Sequence, residues 1–247
     1  MDKIAIIIPS RLDAQRLPNK PLKLINDKEM ILHVYESAIK SNVGEVYIAT
    51  PDQKIIDTIK SSRGNVIKTS ANHETGTDRI FEVFKKELKS KPDIIINLQG
   101  DMPNIQPDAI TYLASYMSKN KCDIGTLAGE FNSDKEMKDP NVVKVEVKEK
   151  LSKSKFLKAL NFFREDVNFS FHLYHHIGIY AFTNEALVRY VSLKRSKLEL
   201  ERKLEQLRAL ENKMSVHVGY LAKCPLSVDT EEDLIQAKNL MKKDEKN

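Results

Sequence analysis

Arg11, Arg16 and Lys20 follow closely on an unbroken apolar run, Ile4 to Ile8, which stops at Pro9. Cations in that position suit an anionic ligand: arginine grips phosphate with two parallel donors and lysine acts as a mobile point charge. Pro18 and Pro21 stiffen the backbone around Lys20, which gives its ammonium a fixed direction. A triphosphate is the ligand these three residues fit, although a solvated basic loop has the same composition. In NLQGDMP, residues 97–103, Asp101 lies just past a second apolar run, DIII, and Gly100 permits close approach of backbone to ligand. A carboxylate beside phosphate makes sense when a divalent cation lies between them, and magnesium takes one or two carboxylates together with substrate phosphates. Asp229, in SVDT, stands at the same kind of strand-to-helix junction. Both aspartates also fit ordinary turn and cap roles. In NHETGTDR, residues 72–79, Thr75, Gly76 and Thr77 offer backbone donors and acceptors to a base or ribose.

Other patterns are excluded or weaker. Neither GxGxxG nor GxxxxGK[ST] occurs, so the opening loop is neither a dinucleotide fingerprint nor a P-loop. His172, His175 and His176 cluster in HLYHH without the HExxH spacing and without a nearby cysteine, which argues against structural zinc. Glu205 and Gln206 fall on a segment with Leu200, Leu204 and Leu207 on one stripe, and read as a polar side face of that helix.

These groups need a scaffold that gathers strand ends. Residues 4–8 and 93–98 are continuous apolar runs of the kind central parallel strands show, and residues 45–49 and 65–68 read as further strands. Helical spacing marks residues 30–39, the stretch around Ile55, Ile56 and Ile59, residues 77–88 and residues 198–211. Strands alternating with helices predict a mostly parallel sheet. The pattern loosens after Ile124: VVKVEV, residues 142–147, alternates strictly and predicts a half-exposed strand, and the aromatic-rich segment that follows predicts an antiparallel or mixed extension. Thr230 and Asp233 form a helix-start box.

At 247 residues the chain can build a core without disulfides, as one large α/β domain over residues 1–247 with residues 125–190 as a subdomain or dimerisation extension. Forty Lys+Arg against thirty-five Asp+Glu leave +5, but the lysine-rich stretches KKELKSK, KEKLSKSK and MKKDEKN read as solvated surface. They lack the interleaved arginine and aromatic residues of a nucleic-acid face. Cys122 and Cys224 read as free thiols, and no segment resembles a signal peptide or membrane span, which predicts a cytoplasmic protein.

The ordered set IIPSRLDAQRLPNKPL, HETGTDR, INLQGDMP, HIGIY, KLEQLRALE and SVDTEEDL resembles the 3-deoxy-manno-octulosonate (Kdo) cytidylyltransferase family from Ile4 to about Leu240. The resemblance implies a three-layer α/β/α nucleotide-diphospho-sugar transferase fold with a mostly parallel mixed sheet and a smaller antiparallel extension. It implies a cytoplasmic homodimer that uses CTP, magnesium and an acidic sugar to make CMP-Kdo and pyrophosphate for lipopolysaccharide synthesis. It assigns Arg11, Arg16, Lys20, Thr75 and Gly76 to the nucleotide, with Arg11, Lys20, Asp101 and Asp229 in the catalytic set. Asp101 and Asp229 are the metal carboxylates, and Gln99, Arg164, His176, Tyr180, Glu205 and Gln206 line the sugar side, with Arg164 suited to the sugar carboxylate. Departures cluster on the sugar side, where NFFREDVNF stands for the usual YFSR and Ile-Pro pair, and QGDMP stands for QGDEP. They keep open a related acid, the 8-amino variant of Kdo or a nonulosonic acid, and a non-catalytic nucleotide binder.

Overall fold

The computed structural model describes residues 2–13, 16–120, 122–165 and 170–244. In chain order the elements are β1 (Ile4–Pro9), a 3-10 turn (Lys20–Leu22), β2 (Leu24–Ile25), β3 (Lys28–Glu29), α1 (Met30–Lys40), β4 (Glu45–Thr50), α2 (Gln53–Ser61), β5 (Val66–Lys68), α3 (Gly76–Lys86), β6 (Ile94–Leu98) and α4 (Pro107–Lys119). There follow β7 (Ile124–Gly129), α5 (Asp134–Lys138), β8 (Lys144–Val147), β9 (Leu157–Phe163), β10 (His172–Thr183), α6 (Asn184–Ser192), α7 (Lys197–Arg202), α8 (Leu207–Glu211), β11 (Val216–Tyr220) and α9 (Glu231–Asp244). The backbone forms two compact units, one of Met1–Pro92, Ile96–Tyr112 and Pro225–Asn247, the other of Asp93–Ile95 and Leu113–Cys224.

In the first unit the strands run in the order β5-β4-β1-β6, with β5, β4 and β1 parallel. Ile6, Ile7 and Ile8 are all fully buried. Successive strand residues point to opposite faces, so both faces of this sheet are covered, and α1, α2 and α3 pack on it. A small core of Leu17, Ile25, Met30, Val228, Leu234 and Ala237 ties the opening loop to the start of α9.

The second unit overturns the expected sheet. β10 pairs antiparallel with β7 and, through His172–His175, with β8 as well. β8 pairs with β9, β9 with β11, and β11 with β7, so five strands close into a ring. Of the registers described for the main sheet, β7–β10, β8–β10, β8–β9 and β9–β11 are antiparallel, against β1–β4, β4–β5 and β7–β11 parallel. The fold is therefore not a mostly parallel open sheet with a minor extension; antiparallel pairing predominates and half of it is a closed barrel. Two physical causes are visible. The length of β10 lets it pair with β8 as well as β7, and a bulge between Ile177 and Tyr180 lets it curl. Close approach is also needed on β11, where a Cβ on Gly219 would meet the Phe156 ring at 2.3 Å.

Two local expectations also fail. β8 is not half-exposed: it has partners on both sides, and Lys144 is 1% exposed, its ammonium donating to the carbonyl oxygens of Asp139 and Arg164 at 2.7 and 2.5 Å. Nor is 198–211 one helix. Lys203 adopts a left-handed conformation (φ 53°) that ends α7, so Glu205 and Gln206 lie in the connection to α8, and Leu200 is exposed while Leu204 and Leu207 are buried.

That connection is held by a buried ion pair. Glu199, which has no exposed surface, accepts from Arg208 Nε at 2.9 Å and Nη2 at 2.6 Å, and from Ser196 N at 3.0 Å. The Arg208 guanidinium also lies 4.6 Å from the centre of the Tyr190 ring. Removing one partner strands the other charge in the interior. Glu199→Ala is therefore expected to cost about 3–5 kcal/mol of unfolding free energy in urea denaturation; a loss below about 1 kcal/mol would contradict it.

Candidate active site

The first unit gathers its chemistry at the carboxyl ends of β1, β5 and β6. β1 runs into Ser10 and Arg11, β6 into Gln99, Gly100 and Asp101, and β5 into the segment that leads to Thr75 and α3. Arg11, Lys20, Thr75, Gly76, Gln99 and Asp101 all line one pocket of about 290 Å³.

The opening loop folds so that Lys20 faces the acids. Leu12 N donates to Asp52 Oδ2 at 2.9 Å and Asn19 N to Leu12 O at 3.2 Å, while Asn19 takes a left-handed turn (φ 56°) into the 3-10 turn that begins at Lys20. Val228 N donates to Asp101 O at 2.9 Å, which brings Asp229 beside Asp101 although they are far apart in sequence. Lys20 Nζ then lies 3.0 Å from Asp101 Oδ2 and 2.9 Å from Asp229 Oδ1. Arg16 Nη2 pairs with the other Asp229 oxygen at 2.9 Å. Burial works against the Lys20 charge, but the two aspartates outweigh it and hold its pKa above the ordinary lysine value. Arg11 points its Nε at Asp13 Oδ1, 3.0 Å away, in an exposed pair that contributes little to stability.

This arrangement tests the expected metal. Two carboxylate oxygens converge on one positive centre, so the pair is built to face a cation. Among the described residues no three His, Cys, Asp or Glu side chains group together. A site with two protein carboxylates and the remaining positions left to phosphate oxygens and water is one that magnesium accepts. The donor set fits.

The loop before α3 is braced from the helix. Thr75 caps α3, its Oγ1 accepting from Asp78 N at 3.1 Å. Gly76 lets the helix start approach Pro9 and Gln99: a Cβ there would lie 3.3 Å from Pro9 Cγ and 3.5 Å from Gln99 Nε2. Ser10, His73, Glu74 and Arg79 also line the pocket and were not singled out from the sequence. Only its burial, at 3% exposure, marks Arg79, and helical spacing carries no such signal. Glu82 pairs with His73 at 2.5 Å. Burial opposes the Glu82 charge, yet hydrogen bonds from His73, the Ser70 amide and Lys86 hold its carboxyl down at about 2, from an ordinary 4.5. Its stabilising contribution is complete above the ordinary value and is lost as the pH falls toward the folded one. Glu82→Gln should therefore flatten the loss of stability between about pH 5 and about pH 2 in urea titrations, and an unchanged acid limb would contradict this.

The remaining predicted residues belong to the second unit. His176 is buried and its Nε2 lies 2.9 Å from Thr126 Oγ1, which itself donates to Ile179 O at 2.7 Å. The hydroxyl proton is thus committed, so Nε2 carries the imidazole proton. Burial, then His175 and Arg164, push the His176 pKa down to about 3, so the ring is neutral. The Tyr180 ring is 5.3 Å from it, and Arg164 donates from Nη1 to Asn141 O at 2.7 Å. Burial and Glu205 raise the Tyr180 pKa, and Arg164 opposes them, which makes the three electrostatic neighbours. Glu205 O accepts from Tyr190 OH at 2.7 Å, and Gln206 is buried. Phe163, at the departure from YFSR, is buried at 2% exposure, whereas Val167 and Asn168, where Ile-Pro was expected, lie outside the described residues.

The cytidylyltransferase family profile matches residues 5–216. A 3-deoxy-manno-octulosonate cytidylyltransferase of Brucella ovis is 41% identical over 238 residues, covering 96% of this chain and 94% of that protein. The chain belongs to the 3-deoxy-manno-octulosonate cytidylyltransferase family. A second member of the family, from Paramagnetospirillum magneticum, is 38% identical over 240 residues, or 96% of this chain and 97% of the relative. A solved CMP:2-keto-3-deoxy-manno-octonic acid synthetase complexed with CTP superimposes with a TM-score of 0.87 at 34% identity, over 98% of this chain and 99% of that one.

Proposed function

We propose that this chain joins CTP to Kdo, giving CMP-Kdo and pyrophosphate. The observation that carries this reading is the convergence of Asp101, Asp229 and Lys20 beside Arg11 at the strand ends of a family member. The sugar's anomeric oxygen forms a bond to the α-phosphorus, the bond from that phosphorus to the pyrophosphate oxygen breaks, and the hydroxyl proton leaves to solvent.

Arg11, Arg16 and Lys20 bind and neutralise the triphosphate, and Thr75 and Gly76 present backbone groups to the nucleoside. Asp101 and Asp229 would hold magnesium, which would supply charge to neutralise phosphate oxygens. The family resemblance assigns Gln99 of the first unit, and Arg164, His176, Tyr180, Glu205 and Gln206 of the second, to the sugar. Arg164 pairs with the sugar carboxylate, and His176, being neutral, acts as a hydrogen-bonding group and not as a second cation. Holding attacking oxygen and phosphorus in line supplies much of the acceleration in such a reaction.

The active form in this reading is a cytoplasmic homodimer joined through residues 125–190. Support comes from Leu160 and Phe171, which are large apolar side chains exposed in that stretch. No helix among the described residues is long and apolar enough to cross a membrane.

Pyrophosphate release with CTP, UTP and GTP against a panel of acid sugars tests the assignment. Kdo with CTP should turn over fastest. Best turnover on a nine-carbon acid or on 8-amino Kdo would replace the substrate, and no release with any sugar would leave a nucleotide-binding protein.

A further inference from the structure

Residues 69–75, between β5 and α3, contain no helix or strand, yet they supply His73 and Thr75 to the pocket wall. Thr69 N donates to Thr50 O on β4 at 2.9 Å, and α3 adds a set of side-chain fastenings. Thr75 Oγ1 donates to Asp78 Oδ2 at 2.8 Å. Arg79 Nη1 donates to Thr69 Oγ1 at 2.6 Å and to Ser70 O at 2.8 Å. Glu82 Oε2 accepts from Ser70 N at 2.9 Å and lies 2.5 Å from His73 Nε2. Positions 78 and 79 each lie about one helical turn from 82, so α3 holds the loop at both ends and in the middle. An exposed loop can satisfy its polar groups with water. This one instead engages a buried guanidinium and a carboxylate whose side chain is 15% exposed.

We infer that Glu82 and Arg79 are positioning residues for nucleotide recognition: they hold residues 69–75 in the shape that presents His73, Thr75 and Gly76 to CTP. The inference rests on reading this pocket as the CTP site. A loop already fixed in its bound shape loses little conformational freedom when ligand arrives, whereas an unfastened loop must be ordered at that moment. The effect therefore falls on nucleotide affinity and leaves the chemical step alone. Glu82 acts through His73 and Ser70 and touches no reacting atom.

Calorimetric titration of CTP into the full chain, paired with steady-state kinetics, tests this with Glu82→Gln, His73→Gln and the double variant. Gln at 82 keeps an acceptor for Ser70 N and loses the charge facing His73. The Kd and KM for CTP should each rise about tenfold in Glu82→Gln, the scale of one lost charge-assisted hydrogen bond. At saturating CTP, kcat should stay within about twofold and the KM for the acid sugar should not move. Because the two residues act as a pair, the double variant should be no worse than the weaker single one. Lys86→Met removes a 3.2 Å contact to the other Glu82 oxygen without touching the loop, and should leave CTP binding intact. Multiplying effects in the double variant would overturn the inference. So would equal losses in Lys86→Met, or kcat and both KM values shifting in step with the folded fraction. A wild-type chain that binds no CTP overturns the site reading and the inference together; a wild type and a Glu82→Gln that bind CTP equally overturn the inference alone.

Discussion

Asp101→Ala should lower kcat/KM for pyrophosphate release by about a thousandfold or more while the protein stays folded. In the proposed reaction the carboxylate is one of the two that would hold magnesium, and a metal ligand in that role would support several kcal/mol of charge stabilisation, which converts to that factor. The fold has little reason to respond. The side chain is 25% exposed, and the structural hydrogen bond at this position is made by the Asp101 carbonyl to Val228 N, which the substitution leaves in place. Stability in urea should fall by no more than about 1 kcal/mol, the upper range for a partly exposed ion pair. Asp101→Asn separates charge from shape: the amide fills the same space and should be nearly as inactive. Retention of more than about a tenth of wild-type activity by either variant would be too much for the loss of a catalytic carboxylate.

Lys20→Met should lower kcat/KM by about a hundred- to a thousandfold, the range seen when one preorganised donor to developing negative charge is removed. In the proposed reaction the triphosphate loses the cation that, in the free chain, sits between Asp101 and Asp229 at 3.0 and 2.9 Å. Lys20→Arg should not rescue the loss, because a bulkier planar fork cannot move as a compact point charge from the two carboxylate oxygens to phosphate. Single-turnover rates at saturating CTP distinguish weakened binding from slowed chemistry. Activity within about threefold of wild type in Lys20→Arg would show that any positive charge suffices there.

Much of the first unit was legible because its strands are buried on both faces. IAIII and IIINL can hardly be anything else, and a basic loop after the first and QGD after the second place cations and a carboxylate at strand ends. The second unit hid its topology for equally physical reasons. Lys144 gives VVKVEV the alternation of a half-wet strand, yet its charge is taken up by two backbone carbonyls inside the ring. LELERKLEQLRALE has helical spacing throughout and no glycine or proline, so nothing announces that Lys203 turns left-handed and sends Glu205 and Gln206 into a connection. Arg79 and Glu82 escaped notice because their partners, Thr69, Ser70 and His73, are met only after the chain turns back on itself.

The ammonium of Lys20 and a divalent ion would compete for the same pair of oxygens. Magnesium alone would have to displace a covalently tethered rival whose effective concentration never falls, with no compensating place for that rival to go. If Asp101 and Asp229 hold magnesium as proposed, a nucleotide arriving with its ion attached would supply both things at once: the metal for the two carboxylates, and phosphate oxygens toward which Lys20 could swing. Metal and nucleotide uptake should accordingly be strongly cooperative, with manganese titrations showing weak binding to the bare protein and tight binding once CTP is present.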